Sequence, residues 1–385
     1  MNMLFAHDHI FIIDSSGNIY SPGKLNSKSF SRYLEHFDTV TIISRFRMLN
    51  ANESIDNYNL IKHPHIKFIP FANQSTVKNR FLLRKKNLNT TIDIVEKFDA
   101  ITVRVPSEIG FLVAMAARKL NKRYVCEVVA CPSDAMSSLK SIKSKIYLPI
   151  IVLTMKKSIE YAAGAIYVTD KILQQRYPCS GFVENASNVE IEEVIAKNNY
   201  YDISKKTQVN IVLTGNLDSH HKGYETLYKL LDKLNENNSK KFTFILIGPG
   251  RFYRKKIIFK NVKVEYTGAL KKESILKLLD DADLYIQPST QEGLPRATIE
   301  AMSRGLPCVV SDAGGLPELV DTTCVFSKNN VDDFYDKITM LLSDNEIYWS
   351  QSRLNNNKAL RFLNTTLAKK RFFFFDKYKI SLLKK

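Results

Sequence analysis

Residues 283–320 read DLYIQPSTQEGLPRATIEAMSRGLPCVVSDAGGLPELV, and this stretch decides the fold. Two short apolar runs in it, Leu284–Gln287 and Pro307–Ser311, have the length and composition of buried strands. A helical pattern fills residues 296–304 between them, with a proline before its start and a glycine after its end. Strand, helix and strand in this order form the repeating unit of a parallel sheet with helices on its faces.

The same alternation extends from this segment toward both ends of the chain. In the C-terminal half, further strands are predicted at Val209–Leu213, Phe242–Ile247, Val262–Tyr266 and Thr323–Phe326. In the N-terminal half, strands are predicted at Met3–Ala6, Val40–Ser44, Ile66–Phe71, Ala100–Val105, Tyr124–Ala130, Ala165–Thr169 and Phe182–Asn185. Nearly continuous apolar strands between helical patterns are typical of parallel sheets that are covered on both faces. The predicted fold class is therefore α/β, with two doubly wound, Rossmann-like domains.

A polar stretch at residues 198–207 shows no clear apolar period and is the predicted linker. We therefore expect an N-terminal domain over residues 1–200 and a C-terminal domain over residues 201–360. Residues 361–385 form a third segment, which is helix-compatible and basic and contains four consecutive phenylalanines. Four consecutive residues cannot all face one side of a helix, so some of these rings must contact another domain, a partner or lipid.

The chain of 385 residues is strongly basic, with 56 Lys and Arg against 39 Asp and Glu and a formal net charge of +17. This balance favours anionic partners, namely phosphorylated ligands, acidic lipid headgroups or nucleic acid. The longest apolar run, Ile146–Met155, is far shorter than the roughly 20 residues that a membrane span needs. Five scattered cysteines without CxxC or zinc spacing indicate free thiols in a reducing compartment, so we expect a cytoplasmic protein without a metal site.

The decisive segment also carries two acidic residues, Glu292 in its loop and Glu300 in its helix. In a doubly wound sheet, ligands bind where strand ends meet helix N-termini, and the amides of those termini favour phosphate. Carboxylates repel a diphosphate unless they accept hydrogen bonds from hydroxyl groups beside it. A nucleotide-sugar has hydroxyls on both sides of its diphosphate. The Gly314-Gly315 pair is expected to let the backbone come close to such a ligand.

This segment resembles the signature of the family 4 (group 1) glycosyltransferases, which have two glutamates eight positions apart, a glycine–proline turn after the first and a downstream GG-x-PE. The corresponding motifs here are Glu292-Gly-Leu-Pro, Glu300-Ala-Met, Gly305-Leu-Pro and Gly314-Gly-Leu-Pro-Glu318. The resemblance covers about residues 208–345 well and the N-terminal half weakly. It implies a retaining glycosyltransferase with the two-domain GT-B fold, whose final helix, residues 361–385, packs back on the N-terminal domain.

The resemblance implies roles in donor binding for residues of the C-terminal half. Glu292 and Lys222 are the implied catalytic residues, because Glu292 contacts hydroxyls of the donor sugar and Lys222 neutralises the leaving phosphate. Glu300 binds the ribose hydroxyls. The loop and helix start that surround the sugar and the diphosphate comprise Gly293, Leu294, Pro295, Arg296 and Ala297. The nucleobase is lined by Gly248, Gly268, Ala269 and Leu270.

One position departs from the family pattern. Asn216 stands where many relatives have an arginine, directly after the glycine that lies seven positions before the lysine. One of the two phosphate cations of the family is therefore missing, unless Arg251, Arg296 or Lys24 substitutes for it. Gly23 and Lys24 follow the first predicted strand, and the resemblance implies that this turn approaches the donor phosphate. On turn chemistry alone, a plain surface turn is an equal alternative.

Acceptor-side residues are expected near strand ends of the N-terminal domain. Arg104, Glu127 and Asp134 lie in or after predicted strands there. Many relatives have a histidine next to the reaction centre in this region, but residues 127–134 contain none. His7 and His9 follow the first predicted strand and are kept as candidates, although a histidine at such a position is more often structural.

The resemblance implies a hexosyltransferase that uses a UDP- or GDP-sugar as its substrate, without a cofactor. Lys222, the helix N-terminus and Lys24 supply positive charge to the leaving diphosphate, so no metal is expected. The implied acceptor is a glycan or a lipid-linked glycan of a bacterial surface polysaccharide such as capsule or O-antigen. Front-face attack, with the departing phosphate as the base, is the preferred mechanism because no carboxylate nucleophile stands out.

Contact with an anionic membrane, at its cytoplasmic face, fits both the charge of the chain and a lipid-linked acceptor. The basic segment Ser141–Lys157 is either an interfacial membrane helix or a buried helix, and its short apolar run and Pro149 favour burial. The basic, aromatic C-terminal segment is open to the same two interpretations.

Other function classes use the same architecture. A nucleotide-sugar epimerase or a phosphorylase is one alternative, and the fold alone does not separate it from a transferase. A basic lipid- or nucleic-acid-binding module is the other alternative. The sequence carries no nucleic-acid-binding motif, so no nucleic-acid partner is expected.

Overall fold

The computed structural model describes residues 1–384 except 24, 57, 77, 137–141, 198, 199, 237–239, 255, 256 and 258. The chain forms two compact units: one consists of Met1–Ala186 together with Ala368–Lys385, and the other consists of Ser187–Leu367. Each unit contains one sheet of mainly parallel strands and its own buried apolar core. The predicted α/β class with two Rossmann-like domains is confirmed.

Among the described residues, the first unit forms a sheet of nine strands. In chain order they are β1 (Asn2–Ile13), β2 (Ile19–Ser21), β3 (Thr39–Met48), β4 (Asn59–Leu60), β5 (Ile66–Pro70), β6 (Ala100–Val105), β7 (Val125–Val128), β8 (Gly164–Tyr167) and β9 (Phe182–Asn185). Seven strands pair parallel in the order β5-β3-β1-β6-β7-β8-β9. The short strands β2 and β4 pair antiparallel. They were not predicted, because two or three residues are too few to show a pattern.

The helices of the first 186 residues are α1 (Ser27–Leu34), α2 (Arg84–Val95), α3 (Glu108–Lys119), α4 (Pro132–Met136), α5 (Ile142–Glu160) and α6 (Ile172–Arg176), with a π-helical turn at Lys78–Leu82. Helix α3 is largely apolar and mostly buried. Its first amides have two side-chain partners: Ser107 Oγ accepts from Gly110 N at 2.9 Å, and the Asp8 carboxylate accepts from Glu108 N at 2.5 Å. Asp8 comes from the point where the register of β1 shifts.

The second unit contains a parallel sheet of six strands among its described residues. They are β10 (Gln208–Thr214), β11 (Lys241–Ile247), β12 (Val262–Gly268), β13 (Leu284–Gln287), β14 (Cys308–Ser311) and β15 (Val325–Phe326). Their order is β12-β11-β10-β13-β14-β15, which is the 3-2-1-4-5-6 order of a doubly wound sheet. The order reverses between β10 and β13. In such a sheet, ligands bind outside the carboxyl ends of the strands at this point.

The helices of the second unit are α7 (Tyr224–Asn235), α8 (Lys272–Asp280), α9 (Arg296–Ser303), α10 (Val331–Ser343) and α11 (Asn345–Ala359). Helix α7 shows why such segments are helical, because its leucines recur at the spacing of one helix face and all are buried: Leu227, Leu230, Leu231 and Leu234. Helices α10 and α11 begin at side-chain caps. Asn330 accepts from Asp333 N, and Asp344 accepts from Ile347 N.

The division between the units falls at residues 186 and 187, earlier than the predicted linker at 198–207. Val189, Ile191 and Ile203 are all buried in the core of the second unit. Ile191 N also donates to Phe362 O at 3.0 Å, which ties this segment to the residues after α11. Residues 187–197 therefore belong to the second unit, and Val189 and Ile191 are buried in its core. Residues 198 and 199 of the predicted linker lie outside the described residues.

The last helix, α12 (Asn364–Leu383), carries the four consecutive phenylalanines. From Ala368 onward it groups with the first unit. Tyr378 attaches it there, because its buried hydroxyl lies 2.8 Å from Ile101 N in β6 and 3.0 Å from Arg123 O just before β7. Two of the four phenylalanine rings are buried and two are exposed. No helix in the described residues is both long enough and apolar enough to cross a membrane.

Candidate functional site

A pocket of about 560 Å³ lies at the carboxyl edge of the second sheet, where the strand order reverses. Thr214 at the end of β10 lines it. The segment after β13 contributes Glu292, Leu294, Pro295, Arg296, Ala297 and Glu300. Lys222, before α7, and Lys272 and Ile275, at the start of α8, complete its lining. This volume is within the range of roughly 300–1,000 Å³ that is usual for pockets binding small organic ligands.

Helix α9 begins in this pocket. Pro295 is its N-cap, and Arg296 and Ala297 are its first two residues. The first amides of a helix have no acceptors within the helix, so these amides and the helix dipole favour an anion. Glu300 lies about one turn further along, lines the same pocket and has a side chain that is 10% exposed. Arg296 Nη1 lies 3.8 Å from its carboxylate, which is too long for a hydrogen bond.

Glu292 and Lys222 meet in the same pocket. Lys222 Nζ lies 2.5 Å from Glu292 Oε1, and both side chains are mostly buried. The residue after the lysine, Gly223, has a φ of +73°. A Cβ atom at Gly223 would lie 1.8 Å from Pro288 O, so only glycine lets this turn pack against the end of β13. This close packing of two loops brings the ammonium group to the carboxylate.

A chain of buried hydrogen bonds orients the Glu292 carboxylate. The Tyr285 hydroxyl donates to Gln287 Oε1 at 2.6 Å, and Gln287 Nε2 donates to Ser289 Oγ at 2.8 Å. Ser289 Oγ then donates to Glu292 Oε1 at 2.8 Å. Burial raises the pKa of Tyr285 well above its usual value, which keeps its hydroxyl a donor. Because Ser289 and Lys222 both donate to Oε1 and no described residue donates to Oε2, the second oxygen is available to a ligand.

Comparison with known proteins identifies the family. Residues 208–344 match the family Glycosyl transferases group 1. Protein CapJ of Staphylococcus aureus is 31% identical over 373 residues, which cover 94% of this chain and 92% of that protein. The chain belongs to the group 1 glycosyltransferases.

Two further comparisons describe relatives of this glycosyltransferase. The N,N'-diacetylbacillosaminyl-diphospho-undecaprenol alpha-1,3-N-acetylgalactosaminyltransferase of Campylobacter jejuni is 27% identical over 164 residues, which cover 41% of this chain and 42% of that protein. The crystal structure of Anabaena HepE in complex with UDP has a TM-score of 0.60 at 17% identity and covers 98% of this chain and 100% of that chain. At this identity, the structural likeness shows a shared fold.

In this glycosyltransferase, Gly314 and Gly315 pack against the loop that carries Glu292. A Cβ atom at Gly314, which has a φ of +55°, would lie 1.8 Å from Glu292 O. Gly315 N donates to Gly293 O at 2.9 Å. We expected these glycines to bring the backbone close to the ligand. In the structure they bring it close to the Glu292 loop, because side chains at these positions would collide with the carbonyl groups of that loop.

The four residues predicted at the nucleobase are not among those that line the pocket: Gly248, Gly268, Ala269 and Leu270. A Cβ atom at Gly248 would lie 2.0 Å from Gly215 O, and Gly248 N donates to Gly268 O at 2.9 Å. Gly248 therefore closes a turn between strand ends. Lys272 and Ile275, which follow the Gly268 loop, line the pocket instead. The nucleobase contact of this loop stays a prediction.

Asn216 forms a turn and does not line the pocket. Its Oδ1 atom accepts from Asp218 N at 2.9 Å, which is the usual use of an asparagine that bonds the backbone two residues on. The Asp218 carboxylate accepts from the amide of Arg251 at 2.8 Å. Among the cations expected to replace the family arginine, Arg296 lines the pocket, and Lys24 lies outside the described residues.

Three pocket residues were not predicted from the sequence: Thr214, Lys272 and Ile275. The Oγ1 atom of Thr214 is buried and has no hydrogen-bond partner among the described residues. Lys272 forms an ion pair with Glu192 at 2.7 Å. The sequence position of Thr214 and Lys272 could have indicated a place in the pocket. Thr214 ends the central strand β10, and Lys272 begins the helix after β12. In the part of the chain that the structure describes, no cluster of His, Cys, Asp or Glu side chains could hold a metal ion.

In the first unit, the predicted acceptor-side residues Arg104 and Glu127 form an ion pair, with Nη1 and Oε2 3.0 Å apart. Glu127 is buried, and its Oε1 accepts from Arg32 at 3.1 Å and from the Tyr33 hydroxyl at 2.6 Å. Burial acts to raise the pKa of Glu127, but the two guanidinium groups and the Tyr33 hydroxyl outweigh it and hold the pKa below its usual value. A ligand role for Glu127 therefore requires the displacement of one of these partners.

The other acceptor-side prediction, Asp134, lies in α4 and forms a half-exposed ion pair with Arg176 at 2.7 Å. Gly23 was expected to follow the first strand. Instead it follows β2, because the chain returns through this short antiparallel strand after β1. Its amide contacts Ser21 Oγ at 3.3 Å, and Ser21 Oγ is 2.9 Å from His9 Nε2. These contacts show Gly23 in a hydrogen-bonded turn.

His7 and His9 lie within β1, which continues through a register shift to Ile13, and not after its end. His9 N donates to His7 Nδ1 at 3.0 Å, so this ring nitrogen carries no proton. Burial lowers the pKa of His7 to about 3, and the nearby Arg104 adds to the effect. Burial, Arg104 and Arg45 lower the pKa of His9 to about 4. Both rings are therefore neutral at physiological pH.

Proposed function

We propose that this chain is a retaining hexosyltransferase that binds a nucleotide-sugar in the pocket of the second unit. One observation carries the proposal: Glu292 and Glu300 line a single pocket together with Lys222 and the N-terminus of α9. Anion-binding groups beside two carboxylates that accept hydroxyl hydrogens match a diphosphate with a sugar on either side. Membership of the glycosyltransferase family supports the transfer reaction.

In the proposed complex, the diphosphate contacts Lys222 and the amides of Arg296 and Ala297. Glu300 accepts from the ribose hydroxyls and Glu292 from hydroxyls of the transferred sugar. Lys222 has three N–H donors, so it can hold Glu292 and a phosphate oxygen at the same time. The geometry of the Glu292 carboxylate supports its role, because Ser289 and Lys222 bind one oxygen and leave the other for the sugar.

The proposed reaction breaks the bond between the anomeric carbon and the phosphate oxygen. The acceptor oxygen bonds to the anomeric carbon on the same face, and the acceptor proton passes to the departing phosphate oxygen. The configuration is therefore retained without an enzyme nucleophile. Lys222 and the α9 amides stabilise the negative charge that develops on the diphosphate, and this charge compensation by the protein underlies the proposal of a metal-independent enzyme.

We propose a lipid-linked glycan as the acceptor, in the assembly of a bacterial surface polysaccharide such as capsule or O-antigen. The Campylobacter jejuni relative supports this choice, because its name specifies a diphospho-undecaprenol-linked acceptor. A net charge of +17 favours an anionic surface, so we place the reaction at the cytoplasmic face of a membrane. Arg104 is the acceptor-side cation that we propose in the first unit.

A thermal-shift panel of UDP- and GDP-sugars tests the donor site. A true donor raises the melting temperature with concentration, as mass action requires. Glu300→Ala should lose most of this shift, whereas Glu346→Ala, at an exposed glutamate of α11, should keep it. The proposal is wrong if no nucleotide-sugar in the panel raises the melting temperature.

Two product measurements complete the test. Proton NMR of the product should show the same anomeric configuration as in the donor. Incubation with donor alone reveals an epimerase, because an epimerase changes the sugar without an acceptor. Incubation of a glycan with inorganic phosphate reveals a phosphorylase, because it transfers a sugar from the glycan to phosphate. Either result in place of transfer to a glycan overturns the assignment of the reaction.

A further inference from the structure

The four consecutive phenylalanines of α12 divide between two environments. Phe374 and Phe375 are 3% and 1% exposed, and their rings pack against aromatic rings of the first unit at centroid distances of 5.1 and 5.0 Å. Phe372 and Phe373 are 42% and 66% exposed. The first pair therefore attaches the helix to the core. In the second pair, the Phe372 ring lies 4.6 Å from the ring of the buried His36, whereas Phe373 leaves most of its apolar surface exposed.

Five exposed residues of α12 form a continuous stripe, which we call the α12 stripe. Its members are spaced three or four positions apart and so lie on one face of the helix: Lys369, Phe373, Lys377, Ile380 and Leu383. Leu383 is 67% exposed, and the exposed Lys384 follows it. Asp376 is the one acidic residue between Asn364 and Lys384. The three lysines of this face, Lys369, Lys377 and Lys384, outnumber it and leave the face positively charged.

We propose that the α12 stripe binds the surface of an anionic phospholipid bilayer. Apolar side chains and lysines share it, and the long lysine stems let the ammonium groups reach lipid headgroups while Phe373, Ile380 and Leu383 enter the apolar boundary. The ammonium group of Lys377 lies 5.0 Å from the centroid of the Phe182 ring, so it turns away from this ring to reach a headgroup. A bilayer with negative headgroups complements both features at once. This inference rests on the membrane contact proposed above and names the surface that makes it.

A second copy of the chain fits the stripe less well than a bilayer does. Two copies related by a twofold axis would bring the same surface patch of both copies together. Both patches carry net positive charge, and this like-charge contact opposes association. Because no helix in the described residues is suited to crossing a membrane, we assign a contact at the bilayer surface.

Helix α5 offers a competing surface in the same unit. It contains most of the segment Ser141–Lys157, of which Ser141 lies outside the described residues. Met155 is buried, as the favoured interpretation of this segment expects, but Leu153 is 55% exposed and is followed by the exposed Lys156 and Lys157. An exposed leucine beside two lysines provides a matched site at which the same substitution can be made.

Flotation of the full chain with vesicles tests the proposal. The wild type should bind vesicles that contain phosphatidylglycerol, should bind pure phosphatidylcholine weakly, and should lose binding as salt is raised. The double variant Phe373→Ser with Ile380→Ser should lower the partition coefficient roughly tenfold or more, because two exposed apolar side chains that enter the bilayer are lost. Lys369→Gln with Lys377→Gln should weaken binding to anionic vesicles only.

Two control variants make the test specific. Leu153→Ser on α5 and Tyr200→Ser in the second unit, where Tyr200 is as exposed as Phe373, should bind vesicles like the wild type. The proposal is overturned if the Phe373 and Ile380 double variant floats like the wild type, or if Leu153→Ser abolishes binding. It is also overturned if the double variant converts a dimer to a monomer in light scattering without a change in vesicle binding.

The same variants separate this proposal from the proposed function. Each should keep the melting-temperature shift produced by a nucleotide-sugar, because the α12 stripe and the pocket belong to different units. Loss of vesicle binding with an intact donor response supports the membrane surface. If the wild type is stabilised by donors but does not bind anionic vesicles, the proposed membrane surface is wrong and the proposed sugar transfer is unaffected.

Discussion

The ammonium nitrogen of Lys222 lies 2.5 Å from Oε1 of Glu292, although 70 positions separate the two residues in the chain. Each group compensates the charge of the other in a largely buried position. A phosphate that contacts Lys222 therefore also changes the electrostatic environment of Glu292. In the proposed reaction, this pair links the leaving group to the sugar that is transferred.

Replacing the lysine tests its role at the leaving phosphate. Lys222→Met removes the positive charge and leaves Glu292 without its ion-pair partner, so we expect kcat to fall about 100- to 1,000-fold. Lys222→Arg should recover part of the activity, because it keeps the charge. Lys229→Met, at an exposed lysine of α7, is the control and should leave kcat unchanged. Steady-state kinetics at saturating donor measures the effect, and an unchanged kcat in Lys222→Met contradicts the assignment.

The hydrogen-bond chain behind Glu292 predicts a separate kinetic effect. Gln287→Leu interrupts it and leaves the buried hydroxyls of Tyr285 and Ser289 with fewer partners, which costs roughly 1–3 kcal/mol of unfolding free energy. We expect kcat to fall about tenfold or more, because the carboxylate loses its fixed orientation. The affinity for the nucleoside diphosphate should stay the same, since Glu300 and the α9 amides are untouched. Calorimetry with UDP or GDP and donor kinetics measure the two quantities.

A second buried tyrosine controls for lost stability. The Tyr348 hydroxyl donates to Asp283 O at 2.7 Å and lies outside the pocket lining. Tyr348→Phe therefore removes a comparable buried hydrogen bond without touching the chain that reaches Glu292. Equal losses of kcat in Tyr348→Phe and Gln287→Leu would mean that stability alone explains both, and the positioning role would then be wrong.

Much of the fold was predictable because buried parallel strands appear as uninterrupted apolar runs. Three strands have the predicted bounds: Ala100–Val105, Phe182–Asn185 and Leu284–Gln287. β1 extends to Ile13, well beyond the predicted Met3–Ala6, because residues 7–9 are polar although the strand continues through its register shift. The apolar pattern of a strand cannot reveal such a continuation, since a bulge breaks the alternation on which the prediction depends.

Spacing alone predicted the candidate site only where its residues are close in sequence, whereas Lys222 was predicted from the family resemblance. Glu292, Glu300 and the start of α9 were found from the spacing within one short segment. The ion pair of Glu292 with Lys222 was missed, because it depends on how two loops pack. The unpaired hydroxyl of Thr214 was missed for the same reason, since its burial follows from the sheet and not from its neighbours in the chain.

Gly223 should be more sensitive to substitution than Gly268, although their φ angles are nearly the same, +73° and +72°. Alanine in this left-handed conformation costs roughly 1–2 kcal/mol at either position. Gly223→Ala also drives a Cβ atom against Pro288 O, which we expect to add roughly 1–3 kcal/mol. A Cβ atom at Gly268 would meet nothing within 4 Å. Urea unfolding of both variants measures the difference. Equal destabilisation would show that the turn at Gly223 shifts enough to accommodate the added Cβ atom.

Acid should destabilise the first unit through His7 and His9. Their folded pKa values are about 3 and about 4, below the usual value of 6.5, because of burial and the nearby Arg104 and Arg45. Between these values and pH 6.5, the unfolded chain binds more protons than the folded chain. The free energy of unfolding should therefore decrease as the pH falls from 6.5 toward 4, by up to about 1.4 kcal/mol per pH unit for each histidine.

His7→Asn isolates one histidine from this pH dependence. The asparagine oxygen can accept the His9 amide hydrogen that His7 Nδ1 accepts, but it does not titrate. The variant should therefore show a shallower loss of stability between pH 6.5 and 4, whereas His65→Gln, at an exposed histidine, should keep the wild-type slope. Urea unfolding at several pH values gives the slopes. If His7→Asn and the wild type lose stability at the same rate, other groups cause the acid sensitivity, because a neutral side chain at position 7 cannot contribute to it.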